Sequence, residues 1–191
     1  MSRIEVAGLD WPLDINCMKR GLMGTFGLVR NNRTRPHHGW DIYARLGTPC
    51  YAVADGKVVD VSHTANDGVA GTYGRYIILK LFLPGFKWDI YAFYAHLQRV
   101  GVAREQTVRI GEQIGLTGKS GNAFNLTGAI NEHLHFEFRR IPYISPVPES
   151  DGLDLRFDPA YLYGIVPNNM NMPRECSPSH SYTSLSRANN F

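Results

Sequence analysis

No stretch of this sequence stays apolar over the roughly 20 residues a helix needs to cross a bilayer, so no membrane span is expected. The amino terminus, Met1-Ser2-Arg3-Ile4-Glu5 with Asp10 and Asp14 following, lacks the apolar centre of a secretory signal peptide. Cysteine is scarce. Cys17, Cys50 and Cys176 are odd in number and lack metal-type spacing, which excludes a cysteine zinc knuckle and indicates no disulfide framework. A Cys17 to Cys176 bridge stays open, and Cys50, inside Pro49-Cys50-Tyr51-Ala52-Val53-Ala54, reads as a small buried hydrophobe. Charge of one sign is also lacking: 20 basic against 17 acidic residues leave a formal charge of +3, with no basic stripe, so no nucleic-acid partner is expected. No long helical period and no internal repeat occur. A phosphate-binding loop around Gly118-Lys119-Ser120 is excluded because Gln113 stands where its first glycine is required, and no H-E-x-x-H is present.

What remains suits one domain with a substantial core: 191 residues, 43% hydrophobic, with 19 glycines and 12% aromatics dividing short apolar runs. That pattern predicts a mainly β fold. Strands are expected at 50–54, 57–62, 75–82 and 89–97, with a hairpin connection at Leu83-Pro84-Gly85-Phe86-Lys87, and shorter ones at 108–111 and 113–117. A polar loop should run from Ser120 to Glu132, and Pro159 should open a single helical turn within 158–163. Residues 1–24 read as an irregular lead-in, 25–163 as the domain, and 164–191, rich in Asn, Ser, Pro and Arg, as an irregular tail.

The chemistry gathers in two distant segments, His37-His38-Gly39-Trp40-Asp41 and His133-Leu134-His135. From His133 to Phe138 the sequence alternates strictly, so a strand sets His133, His135 and Glu137 on one face and Leu134, Phe136 and Phe138 on the other. Two imidazoles and a carboxylate make the three-ligand set of a catalytic zinc, whose fourth position is left to water. His37, Asp41 and one histidine of the H-x-H pair would hold the metal, leaving the other imidazole near the open position. Gly39 would let the backbone approach closely and turn both ligands inward. His96, ending the apolar run 89–97, is a further uncoordinated imidazole for such a site. Glu137 reads equally as a partner for a ligand imidazole or as a solvated carboxylate. His38 should point away from His37 if that segment is extended, and His38, His63 and His180 receive no role.

Several ordered motifs resemble the LytM and lysostaphin family of zinc peptidases: Thr25-Phe26-Gly27 with Arg30, Arg35-Pro36-His37-His38-Gly39-Trp40-Asp41-Ile42, and Gly47-Thr48-Pro49-Cys50 with Ala54-Asp55-Gly56-Lys57-Val58. Tyr73-Gly74-Arg75-Tyr76-Ile77, Tyr94-Ala95-His96-Leu97, Gly111-Glu112-Gln113-Ile114-Gly115 and His133-Leu134-His135-Phe136-Glu137 continue it. The resemblance implies an antiparallel, sandwich-like single domain with a groove over the sheet holding Zn²⁺. It assigns the metal to His37, Asp41 and His135, with His96 and His133 as uncoordinated catalytic histidines. The implied activity is hydrolysis of peptide cross-links in bacterial peptidoglycan. Departures are Cys50, where an aliphatic residue is usual, and the loop Ala129-Ile130-Asn131-Glu132, which is longer and borders the cleft.

Such a hydrolase without a visible export signal is expected to be an antibacterial toxin. It would leave its producer through a secretion apparatus, act in the periplasm or wall of a target bacterium, and be countered by a cognate immunity protein. A phage lysin of the same activity, and an inactive wall-binding or hydrolase-activating module, are the alternatives.

Overall fold

Apolar runs at 75–81 and 90–97, and the alternating run 133–139, build the centre of the molecule as antiparallel sheet. The computed structural model describes residues 6, 8–18, 21–142, 153–164 and 182–183. Its strands are β1 (Ile15–Asn16), β2 (Gly27–Arg30), β3 (Arg35–His37), β4 (Trp40–Tyr43), β5 (Pro49–Tyr51), β6 (Gly56–Ser62) and β7 (Arg75–Leu81). They continue as β8 (Ile90–Val100), β9 (Thr107–Val108), β10 (Gln113–Thr117), β11 (His133–Arg139), β12 (Arg156–Phe157) and β13 (Tyr182–Thr183), with one short helix, α1 (Pro159–Tyr163). Nine strands form one sheet, whose main path runs β12-β11-β8-β7-β6-β9, with β4 added to β11 and β10 joining both β8 and β5.

The expected strands from 50 to 138 all appear, within a few residues of the predicted bounds. Strand β11 alternates as read: Leu134, Phe136 and Phe138 enter the main core with Trp40, Ile42, Ile77, Leu79 and Tyr94. Each such fully buried side chain contributes on the order of 1.5–3 kcal/mol. The opposite face carries a smaller cluster of Ile78, Tyr91, Phe93 and Ala95, so the central strands are covered on both sides.

Strand β8 holds the layers together. Its first half lies between β7 and β11, whereas Leu97, Arg99 and Val100 pair with β10. Registers shift on both neighbours at this change of partner, and His96 sits there with a left-handed φ of 59°. A non-glycine residue in that region stores strain, and such residues cluster at functional sites.

The lead-in is more integrated than its composition suggested. Leu13 and Met18 belong to the core, Trp11 stacks on Tyr163 of α1 at 3.9 Å, and the Tyr163 hydroxyl donates to the Asp10 carbonyl. Helix α1 starts where Pro159 predicted, capped by Asp158, which also accepts from the Trp40 indole. In the tail, Tyr182 and Thr183 pair with Asn16 and Ile15, giving that stretch an order the composition did not announce; most of 164–191, His180 and Cys176 included, lies outside the described residues. Cys17 is disulfide-bonded. Cys50 is fully buried, and burial pushes its thiol up to about 12, in keeping with a packing role. Among the described residues no helix is long and apolar enough to cross a membrane.

Candidate metal centre

Strand pairing brings the two histidine segments together. β4 lies antiparallel to β11 with Asp41 opposite His135, and β11's other neighbour, β8, ends its pairing just before His96. The turn between β3 and β4 presses Gly39 onto β11 so closely that a Cβ there would lie 2.1 Å from the Phe136 carbonyl oxygen and 2.7 Å from Glu137 Cγ. Only glycine tolerates that approach. The turn also breaks the alternation, so His38, expected to point away, lines the groove with His37, its Nδ1 3.3 Å from the Tyr73 hydroxyl.

His37 Nδ1 donates to the Thr25 carbonyl at 2.7 Å, and His135 Nε2 donates to Glu137 at 2.8 Å. Each ring's remaining nitrogen is thereby an acceptor. His37 Nε2 and His135 Nδ1 lie 3.2 Å apart, and each is 3.0 Å from Asp41 Oδ1. Three buried acceptors converge with no donor of their own between them, which is a cation's environment. A tetrahedral zinc with bonds of 2.0–2.2 Å would set its ligands about 3.3–3.6 Å apart, so small shifts suffice. The residues fit a metal, and these three are the described residues whose donor atoms converge in this way.

Asp41 is held well below the usual carboxylate range: burial pushes it up, but the neighbouring His37 and His133, then its close contacts with His135 and His37, outweigh that. Its second oxygen takes Arg30 Nη2 at 2.5 Å, leaving Oδ1 to face the metal seat. Burial lowers the His37 pKa. For His135 burial acts in the same direction, yet the contacts with Asp41 and Glu137 prevail and raise it.

Glu137, for which two readings were open, is not solvated. It is fully buried and receives Arg139 Nε at 2.6 Å, Arg156 Nε at 2.8 Å, His135 Nε2 and the Tyr73 hydroxyl. Burial pushes its carboxyl up, but Arg139 and His135 hold it well below the usual range. Sequence reasoning missed Tyr73 and the two arginines. Arg139 continues β11's site-facing alternation and was there to be found, whereas Arg156 arrives from a distant strand.

His133 and His96 flank the seat. The Nδ1 of each donates to a backbone carbonyl, Asn131 at 2.7 Å and Ser120 at 2.9 Å, which turns Nε2 of each into an acceptor. His133 Nε2 is 3.5 Å from Asp41 Oδ1, and the two rings meet edge to face at 5.3 Å. Burial, then His133 and His135, lower the His96 pKa to about 3, so it is neutral across the physiological range. Ser120 accepts from Arg75 N and donates to the Leu97 carbonyl, fixing the turn that the glycine-rich stretch marks. His63 is exposed and takes no part.

These groups line a groove of about 220 Å³. The β2–β3 ribbon contributes Arg30, Arg35 and Pro36 to its lining, and the 121–132 connection contributes Asn122, Ala123 and Leu126. That connection, read as a loop, contains two short 3₁₀ turns, Gly121–Ala123 and Ala129–Asn131.

A cation seat of two imidazoles and a carboxylate, beside two further imidazoles on an antiparallel sheet, defines the class of metallopeptidase sites. Residues 35–147 match the model of peptidase family M23, and the chain belongs to that family. It is 40% identical over 106 residues to an uncharacterized metalloprotease of Haemophilus influenzae, covering 56% of this chain and 19% of that one. It is 32% identical over 131 residues to the peptidoglycan DD-endopeptidase ShyA of Vibrio cholerae, covering 62% and 26%. Among solved structures, a zinc containing peptidase from Vibrio cholerae superposes with a TM-score of 0.52 at 27% identity, covering 70% of this chain and 37% of that one. The matched region is thus a small part of the length of these two curated relatives.

Proposed function

We propose that this chain is a zinc-dependent endopeptidase that hydrolyses peptide cross-links of bacterial peptidoglycan, with His37, Asp41 and His135 holding the metal and His133 and His96 acting on the substrate. The observation that carries it is the convergence of three acceptor atoms with no proton donor of their own, beside two imidazoles whose tautomers are set by backbone carbonyls. The similarity to ShyA supports the substrate.

Zinc, when bound, supplies Lewis-acid activation of water and of the scissile carbonyl. Glu137 fixes the His135 ring so that Nδ1 faces the seat, and Arg30 fixes the Asp41 carboxylate. His133 Nε2 and His96 Nε2 accept hydrogen bonds from an attacking water, orienting it and sharing the proton that must reach the leaving amine. With no glutamate base of the H-E-x-x-H kind, this pair is the proton-handling machinery.

The test is digestion of purified peptidoglycan by the zinc-loaded chain, with muropeptides compared by mass spectrometry before and after. Loss of cross-linked species, abolished by a chelator and restored by zinc, is expected; intact cross-links would overturn the reading.

The delivery reading extends this: an antibacterial toxin carried by a secretion apparatus to the wall of a target bacterium and neutralised at home by an immunity protein. The disulfide at Cys17 supports a working place outside the reducing cytosol. Expression directed to the periplasm should lyse cells unless the partner is present, and harmless expression would rule the toxin out.

A further inference from the structure

Arg35, on the groove wall, serves neither the metal seat nor the imidazoles flanking it. It is exposed and stands in β3 two positions before His37, so both side chains leave the same face of the strand, about 6.6 Å apart along it. Its partner across the β2–β3 ribbon is Arg30. Two like charges set opposite each other weaken a ribbon. Arg30 answers its own charge through Asp41, whereas among the described residues the Arg35 side chain makes no hydrogen bond or ion pair. Asp41 is also the one acidic side chain among those lining the groove, and it is committed to Arg30 and the metal seat. The groove therefore offers an unanswered guanidinium close to the reaction centre, in a field that is positive before a divalent cation is added.

We propose that Arg35 is a subsite for a free carboxylate of the substrate, so that the groove selects cross-links containing a diamino dicarboxylic acid over neutral glycine bridges and over stems whose carboxyl is amidated. A guanidinium pairs with a carboxylate through two parallel hydrogen bonds, which gives direction as well as attraction. The inference rests on the peptidase reading above and adds the chemical class of the substrate.

The experiment uses the zinc-loaded full chain and two synthetic cross-linked peptides that differ only in carrying a carboxylate or a primary carboxamide at that residue. The wild type should cleave the acid with a kcat/KM about tenfold higher, the effect of one charge-assisted contact, with the difference residing in KM. That preference should shrink as salt is raised. Arg35→Gln should bind zinc as the wild type does and treat the two peptides alike, and Arg35→Lys should keep part of the preference. Equal cleavage of both peptides by the wild type, or a preference that survives in Arg35→Gln, overturns the proposal while leaving the peptidase reading intact. If the zinc-loaded wild type cuts neither peptide nor whole peptidoglycan, the peptidase reading fails and this inference fails with it.

Discussion

What separates the four buried histidines is which ring nitrogen their surroundings claim. Thr25 takes Nδ1 of His37 and Glu137 takes Nε2 of His135, so these two rings face the seat through different atoms, while Asn131 and Ser120 hold His133 and His96 in one common tautomer. Replacing His135 by alanine should abolish stoichiometric zinc, and replacing His133 should leave zinc in place while removing turnover, both read by metal analysis of purified protein. The reverse outcome would exchange their roles. His96 carries a second expectation. Its folded pKa of about 3 lies below the unfolded value near 6.5, so between these the unfolded chain binds a proton that the native chain refuses. Stability is full above about pH 6.5 and falls on acidification toward pH 3, by up to about 1.4 kcal/mol per pH unit from this group. His96→Asn, which tolerates the left-handed backbone, should flatten that slope in denaturant titrations across pH and lose activity.

The elements differ in how openly the chain announces them. β11 was legible because seven residues alternate without a break and each face has one chemistry. β7 and β8 were legible as apolar runs around a Pro-Gly turn. β2, β3 and β4 were not, since they are only three or four residues long, β3 contains Pro36, and the β2–β3 turn places Asn31, Asn32 and Arg33 at positive φ, which no sequence period foretells. The ligand residues stood out nonetheless, through their motifs. The supports of Glu137 did not, because Arg156 and Tyr73 reach it from strands and loops distant in sequence. Gly39 is where element geometry and chemistry meet. Gly39→Ala would force β3–β4 off β11, and the expected result is destabilisation of about 1–3 kcal/mol, the usual range for overpacking, with a loss of zinc affinity. Thermal unfolding and zinc titration of that variant check both.

At the scale of the whole molecule, metal and fold are linked, because the three donors exist as a set only when β3, β4 and β11 are docked. A cation that binds the native state and not the unfolded chain raises apparent stability by RT ln(1 + [L]/Kd), about 2.7 kcal/mol at a hundredfold excess over Kd. Calorimetric scans should show a melting temperature that climbs with zinc concentration, drops with a chelator, and does neither in the Asp41→Ala protein. Net charge, which gave little guidance when read from composition, acquires meaning once located: the +3 of the chain matters less than the two arginines that the β2–β3 ribbon brings to the groove.

The distance along the chain between His37 and His135, 98 residues, sets the order of events during synthesis. A ribosome adds about 5–20 residues per second, so roughly 5–20 s pass after the first donor is made before the last one exists. Until then the nascent polypeptide holds only two of the seat's three donors, His37 and Asp41. Fragments released early by interrupted translation therefore lack a complete metal seat, which is assembled only when β11 has joined the sheet.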